Sequence, residues 1–310
     1  RAAPAVRIAG LLSAVSSVLS FVVPNPLGGN AVRLAESVGI PLLACFVTAP
    51  EGGLPRLGLP RRLQPTPQMY RYAGVLVLPF IAWQWAPGLH VSADRSLPSS
   101  QAPFYTPMLH QVTARHPGPL RLEVVPTARH WEAAYVASHV SLARGWERQL
   151  DTAHNPLFYT PGLLNADSYR QWLVANGVSF VALPNAPLDY AGQPEARLLA
   201  GGHVAGLRLV WSSHDWRLWQ VVGSPGLLSG PGRLTSLASN QVMLTAAQAG
   251  RFTLRVRYTP YWSIQSGDAC LTRGPDPAAW TELSVGHAGP VVVSESVVPH
   301  GAPICGPPRH

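Results

Sequence analysis

The sixteen residues 72–87, YAGVLVLPFIAWQWAP, carry no charge, and the chain differs in kind on their two sides. Before them lie two more apolar runs, residues 5–23 (AVRIAGLLSAVSSVLSFVV) and residues 31–49 (AVRLAESVGIPLLACFVTA), and no histidine. Beyond them come all eleven histidines, Cys270, Cys305 and most of the acids. At about 1.5 Å of rise per residue, a helix of some nineteen apolar residues matches the roughly 30 Å hydrocarbon core of a bilayer. The three runs are therefore expected to be transmembrane helices. Gly10, Ser13, Ala14, Ser16 and Ser17 let neighbouring helices approach closely. The last run is short, but Tyr70, Tyr72, Trp83 and Trp85 surround it as an interfacial aromatic belt would.

Charge gives this layout a direction. Residues 1–87 hold seven arginines against Glu36 and Glu51, so they supply +5 of the formal +8. Arg56, Arg61, Arg62 and Arg71 place the second loop on the cytoplasmic side by the positive-inside rule, as Arg1 and Arg7 do for the first residues. Everything after Pro87 is then extracytoplasmic, in a multi-pass protein of the cell membrane. The pI of about 9.9 does not indicate a nucleic-acid partner. The densest basic run lies between two apolar segments, where a membrane-flanking loop accounts for it, and binding phosphates along a duplex needs a basic face. Opening at Arg1 within apolar sequence, the chain reads as a fragment of something longer. In the second run, Arg33 and Glu36 stand three apart on one helix face near the outer surface, beside the loop PNPLGGN, and Pro41 kinks the helix.

The outer portion reads as α+β in two parts. Residues 89–222 mix helix and strand. LRLEVV at 120–125 and VSFVALP at 178–184 are strands, and ADSYRQWLVAN at 166–176 is a helix stopped by Gly177. LRLVWSS and WRLWQVV form a hairpin. Residues 223–310 turn all-β, with five or more short strands at regular spacing, as in a β-sandwich module. Residues 1–88 are the membrane segment. Cys270 and Cys305 fit a disulfide in an oxidising compartment better than a metal site, because no CxxC or HxxxH spacing accompanies them.

The densest polar and aromatic stretch is RHWEAAYVASHVSLARGWERQLD, residues 129–151. Aromatic faces beside carboxylates and guanidinia can hold a sugar ring or a phosphate-bearing headgroup. The substrate-binding candidates are Trp131, Glu132, Arg144, Trp146, Glu147, Arg148 and Asp151, together with Arg33 and Glu36. Glu132 and Glu147 have the chemistry of general bases. The competing expectation is that Trp131, Tyr135 and Trp146 anchor the core while the charges pair on the surface. His130 and His139, nine apart, lack the spacing of a helical metal pair. No nucleophile elbow, phosphate loop or dinucleotide motif is present, so no metal, cofactor or catalytic residue is assigned.

Three features carry a resemblance. Apolar crossings joined by PNPLGGN continue into AVRL, an outer α/β portion carries ARGWERQLD and NPLFY, and a β module contains RVRYTPYW. This layout resembles the C-terminal half of large actinobacterial polytopic membrane proteins related to the GT-C class of glycosyltransferases and to YfhO-like membrane proteins. The resemblance implies transfer of a sugar from a polyprenyl-phosphate carrier to a glycan acceptor outside the membrane. The catalytic acid of such families lies in a first outer loop that this chain lacks. What it implies here is carrier or acceptor recognition, with the bilayer as a further partner. A non-catalytic envelope protein whose outer domain binds glycans or proteins is the alternative.

Overall fold

The computed structural model describes residues 97–275, 277–296 and Cys305, together with nine positions between Ile8 and Trp85. The three expected crossings fall almost wholly outside these residues. Among the described residues no helix is long and apolar enough to cross a membrane. All nine positions are helical, and all but the half-buried Ile81 are exposed, Ile8, Leu11, Leu12, Val15, Val18 and Leu19 among them. By its internal contacts the chain divides between Ser96 and Leu97, and residues 97–310 form one compact unit.

That unit mixes helix and sheet. Its first part is a five-stranded sheet in the order β2-β1-β3-β5-β4. The strands are β1 (Arg121–Val124), β2 (Ser141–Leu142), β3 (Val178–Pro184), β4 (Leu207–Ser212) and β5 (Trp216–Val221). β1 runs parallel to β2 on one side and to β3 on the other, whereas β5 joins β3 antiparallel and β4 joins β5 antiparallel. Strands β1 and β3 have helices on both faces and are almost wholly buried.

Alternation along the strands sends side chains to two cores. Leu122, Val124, Phe180, Ala182 and Leu218 meet Phe104, Tyr105, Met108 and Val112 of α1 (Ala102–Arg115). Trp216 also lies in this core and donates its indole N–H to the Phe104 carbonyl at 2.8 Å. Val181, Leu183 and Val221 pack on the other face against Tyr169 and Leu173 of α4 (Ala166–Ala175) and Leu199 of α5 (Gly192–Ala200). Two short helices, α2 (Glu132–Tyr135) and α3 (Arg148–His154), flank β2 in sequence. α4 starts where expected because Asn165 caps it. The Asn165 Oδ1 accepts from the Asp167 and Ser168 amides at 3.1 and 3.0 Å, and Ser168 Oγ accepts from the Asn165 amide.

The second part holds two four-stranded antiparallel sheets, β10-β13-β8-β7 and β11-β12-β9-β6. The strands are β6 (Leu228–Ser229), β7 (Gly232–Leu237), β8 (Gln241–Ala246), β9 (Gly250–Arg257), β10 (Trp262–Ser266), β11 (Ala269–Arg273), β12 (Trp280–Val285) and β13 (Gly289–Glu295). Val242, Leu244 and Val293 from one sheet and Phe252, Leu254 and Leu283 from the other form one shared core, so the sheets face each other. Trp262 of the YTPYW segment is buried in that core and Tyr258 packs against it, while Tyr261 stays exposed. Cys270 on β11 (Ala269–Arg273) is disulfide-bonded to Cys305, which ties the residues after β13 back to an edge strand.

The two parts meet at the amino ends of β1 and β3. Arg121 donates to the carbonyls of Asn176 at 2.8 Å and Arg255 at 2.6 Å. Gly177 ends α4 at φ +64°, and a Cβ there would lie 2.1 Å from the Gly226 carbonyl oxygen. Only glycine satisfies both the left-handed backbone and that approach.

Candidate functional site

β2 and β3 flank β1 on opposite sides, so the connections leaving β1 and β3 diverge. In open sheets with parallel strands, ligands bind outside the carboxyl ends of the strands at such a divergence. Here the floor of the divergence is stitched closed. Thr127 bridges Leu188, the Ala128 amide donates to the Pro187 carbonyl at 2.9 Å, and the Asp189 amide donates to the Pro126 carbonyl at 3.0 Å. Side chains rising from these two loops form the rim.

His130 sits at the centre of the rim at φ 55°, a left-handed conformation uncommon outside glycine. Its Nδ1 lies 3.1 Å from Glu132 Oε1, and its Nε2 lies 3.7 Å from Asp189 Oδ2 and 3.4 Å from Arg148 Nη2. Glu132 is held from behind by Thr127, whose hydroxyl donates to Oε2 at 2.5 Å. Arg148 donates to both Asp189 oxygens at 3.0 and 2.8 Å, and the Ala191 amide donates to Asp189 Oδ1 at 3.0 Å. Burial would raise the Asp189 pKa, but these hydrogen bonds and the Arg148 charge hold it below the ordinary range. The same pairing strengthens the Arg148 cation.

Aromatic faces surround this ring of charges. Trp131 is 37% exposed and stacks on Tyr135 with ring centroids 5.6 Å apart. Trp146 and Tyr190 are exposed, and the Arg148 guanidinium lies 4.5 Å from the Tyr190 ring centroid. Arg129, His130, Trp131 and Trp146 line an open groove of about 530 Å³.

Beneath the rim lies a second cluster, fully enclosed. Arg144 donates to Glu123 Oε1 through Nε at 2.9 Å and Nη2 at 2.6 Å, and Nη2 also pairs with Glu195. Tyr169 donates to Glu195 Oε1 at 2.6 Å, and the Phe158 ring lies 3.6 Å from the guanidinium carbon. Glu123 and Glu195 are wholly buried, and among the described residues Glu123 Oε2 and Arg144 Nη1 have no hydrogen-bond partner. One guanidinium faces two carboxylates there. Burial pushes both carboxyl pKa values up against the pull of Arg144, Glu123 well above the carboxylate range.

The sequence candidates thus separate. Trp131, Glu132, Trp146 and Arg148 come together at the rim. Glu147 is exposed and borders a different crevice with Trp146. Arg144 and Asp151 do not line the rim groove. Arg144 neutralises the enclosed carboxylates, and Asp151 is buried, accepting from Asn155 Nδ2 at 2.8 Å and from the Tyr159 hydroxyl. Burial, with the hydrogen bond to Asp151, pushes the Tyr159 pKa up to about 12. Arg33 and Glu36 lie outside the described residues. Of the three aromatics expected to anchor the core, Tyr135 packs against it, whereas Trp131 and Trp146 are exposed, and of the charges expected to pair on the surface Glu132, Arg144 and Asp151 are buried.

Asp189 and Tyr190 were not among the candidates, and neither were Glu123 and Glu195. For Asp189 the available signal was position, since NAPLDYAG directly follows the strand VSFVALP. Among the described residues, neither His130 nitrogen has a hydroxyl or thiol partner, and no cluster of three or more metal-ligating side chains occurs. The rim can therefore orient and hold a polar ligand over aromatic faces, and it presents no nucleophile–base pair.

The described residues from Leu97 onward form a mixed α/β sheet joined to a pair of facing antiparallel sheets. No family model, curated protein or solved structure matches this chain.

Proposed function

We propose that residues 97–310 are the extracytoplasmic recognition part of a membrane glycosyltransferase-like protein, and that a saccharide binds over Trp131 and Trp146. The observation that carries this is the groove at the divergence of β1 and β3. There an exposed indole backed by Tyr135 stands beside His130, Arg129 and the Arg148–Asp189 pair. Pyranose rings present C–H faces that stack on indoles, while their hydroxyls need fixed charged partners around the edge. Support for membrane attachment comes from Ile8, Leu11, Leu12, Val15, Val18 and Leu19. They recur at helical spacing with their side chains exposed, an arrangement costly in water and favourable in lipid. The Cys270–Cys305 disulfide fits an oxidising compartment outside the membrane.

One observation favours a non-catalytic role for this part over a catalytic one. Glu132 is engaged by Thr127 and His130, and Asp189 by Arg148, so neither rim carboxylate is free to act as a base. On either account the test is glycan binding by the full chain in detergent or nanodiscs, measured by calorimetry across a set of neutral oligosaccharides. Trp131→Ala is expected to weaken binding by about 1–2 kcal/mol, typical of one lost aromatic platform, with an unchanged Tm. Equal affinity in Trp131→Ala and Trp146→Ala, or no glycan bound at all, would rule this assignment out.

A further inference from the structure

A second crevice, of about 390 Å³, lies where the α/β sheet meets the paired sheets, and Arg121, Arg257 and Trp280 line it. We propose that it binds the phosphate of a small phosphomonoester. This stands apart from the saccharide groove, with which it shares only Trp146.

The case begins with Arg121. It is 8% exposed, two of its nitrogens donate to backbone carbonyls, and its buried Nε has no partner. Among the described residues no carboxylate lies within ion-pair distance of Arg121 or Arg257. Burial, together with repulsion from Arg257 and Arg255, pushes the Arg121 pKa down to about 10. Arg257 donates one hydrogen bond, to the Ala278 carbonyl at 2.9 Å. The two guanidinia lie 5.6 and 5.3 Å from the centre of the same Trp280 ring. Enclosing cations without an anion is costly, and a ligand that supplies the anion relieves that cost.

Two acids also border the crevice. Asp151 has its oxygens engaged by Asn155 and Tyr159, and Glu147 is exposed. Neither forms an ion pair with the arginines. His154, on the same wall, has its pKa lowered by burial and by Arg257, so near neutral pH its imidazole is uncharged. A carboxylate would match one guanidinium, whereas a phosphomonoester dianion matches two. The remaining volume suits a sugar-sized group, since small-molecule sites span about 300–1,000 Å³.

The phosphate could belong to a soluble phosphosugar or to a lipid headgroup, and the experiment separates the two. The full chain is titrated calorimetrically with inorganic phosphate, glucose 1-phosphate and glucose, and by co-sedimentation with phosphatidate-containing and neutral vesicles. Glucose 1-phosphate or phosphatidate is expected to bind, glucose to be silent, and salt to weaken the interaction. Arg257→Gln keeps a hydrogen-bonding side chain at a partly exposed position, and is expected to lower affinity about tenfold or more with Tm unchanged. Binding should also raise the His154 pKa, read by NMR of its ring, while Trp131→Ala leaves phosphate affinity as it was. Absence of binding by every phosphate probe, equal affinity in Arg257→Gln, or a His154 titration unmoved by ligand would each overturn the proposal. Loss of phosphate binding in Trp131→Ala would assign the anion to the saccharide groove instead.

Discussion

At the scale of single residues, the buried Arg144 cluster shows how much depends on one side chain. Glu123 and Glu195 share one guanidinium with almost no exposure. Removing that guanidinium leaves two enclosed carboxyl groups without a counter-charge. Arg144→Met is therefore expected to destabilise residues 97–310 by about 3–5 kcal/mol, measured by denaturant unfolding. The cluster also fixes a pH dependence. The folded chain holds the Glu123 proton more tightly than the unfolded chain does. Its stabilising contribution is thus complete below the ordinary carboxyl pKa and is lost as pH rises through the elevated folded value. Asp189 works in the opposite sense: its depressed pKa adds stability above the ordinary range that disappears as pH falls. Glu123→Gln removes the first contribution, so its unfolding free energy should decline less than the parent's towards alkaline pH. An unchanged pH profile in Glu123→Gln would mean that Glu123 is ionised in the folded state.

At the scale of elements, two short loops and one glycine do most of the positioning. The loops after β1 and β3 are locked together by backbone hydrogen bonds. His130, Glu132 and Asp189 thereby converge although they come from segments far apart in sequence. Gly177 plays the corresponding part at the opposite ends of the strands. It lets α4 turn directly into β3 and brings the Gly226 backbone into contact. Gly177→Ala meets both the left-handed strain and a clash with a carbonyl oxygen. It is expected to cost well over the ~1 kcal/mol of an ordinary left-handed glycine replacement, seen as a lower Tm for the whole unit. A Tm equal to the parent's would show that the junction can relax apart.

At the scale of the whole molecule, the disulfide is a covalent constraint on the paired sheets. It joins residues 35 apart and holds Cys305 against β11. Treated as a restriction on the unfolded chain, a loop of this length contributes about 3–4 kcal/mol. Cys270→Ser or reduction should lower the midpoint of denaturant unfolding while leaving glycan binding at Trp131 intact. Because the saccharide groove belongs to the α/β sheet, loss of glycan binding on reduction would show that the paired sheets support it more directly than the contacts indicate.

Part of the secondary structure was legible in the sequence because its causes are local, whereas α1 (Ala102–Arg115), the longest described helix, and α2, α3 and β2 were not expected. Period-two alternation, Gly177 after ADSYRQWLVAN and the turn residues between the β runs act within a few positions. The RHWEAAYVASHVSLARGWERQLD stretch was likewise marked by its composition. Which of its residues face outward was not, because a charged side chain has no local signal for burial. Arg144 goes inside only since Glu123 on β1 and Glu195 on α5 wait there, and that pairing exists only after the sheet forms. Asp189 is brought to His130 by the order of β1 and β3 within the sheet. Arg121, with its buried Nε left over and no described carboxylate in reach, emerges only where the two parts meet. Local patterning thus determined α4, β3, the β4–β5 hairpin and most strands of the paired sheets. Tertiary structure decided which charges are enclosed and which aromatics are left exposed, because charge compensation depends on neighbours in space.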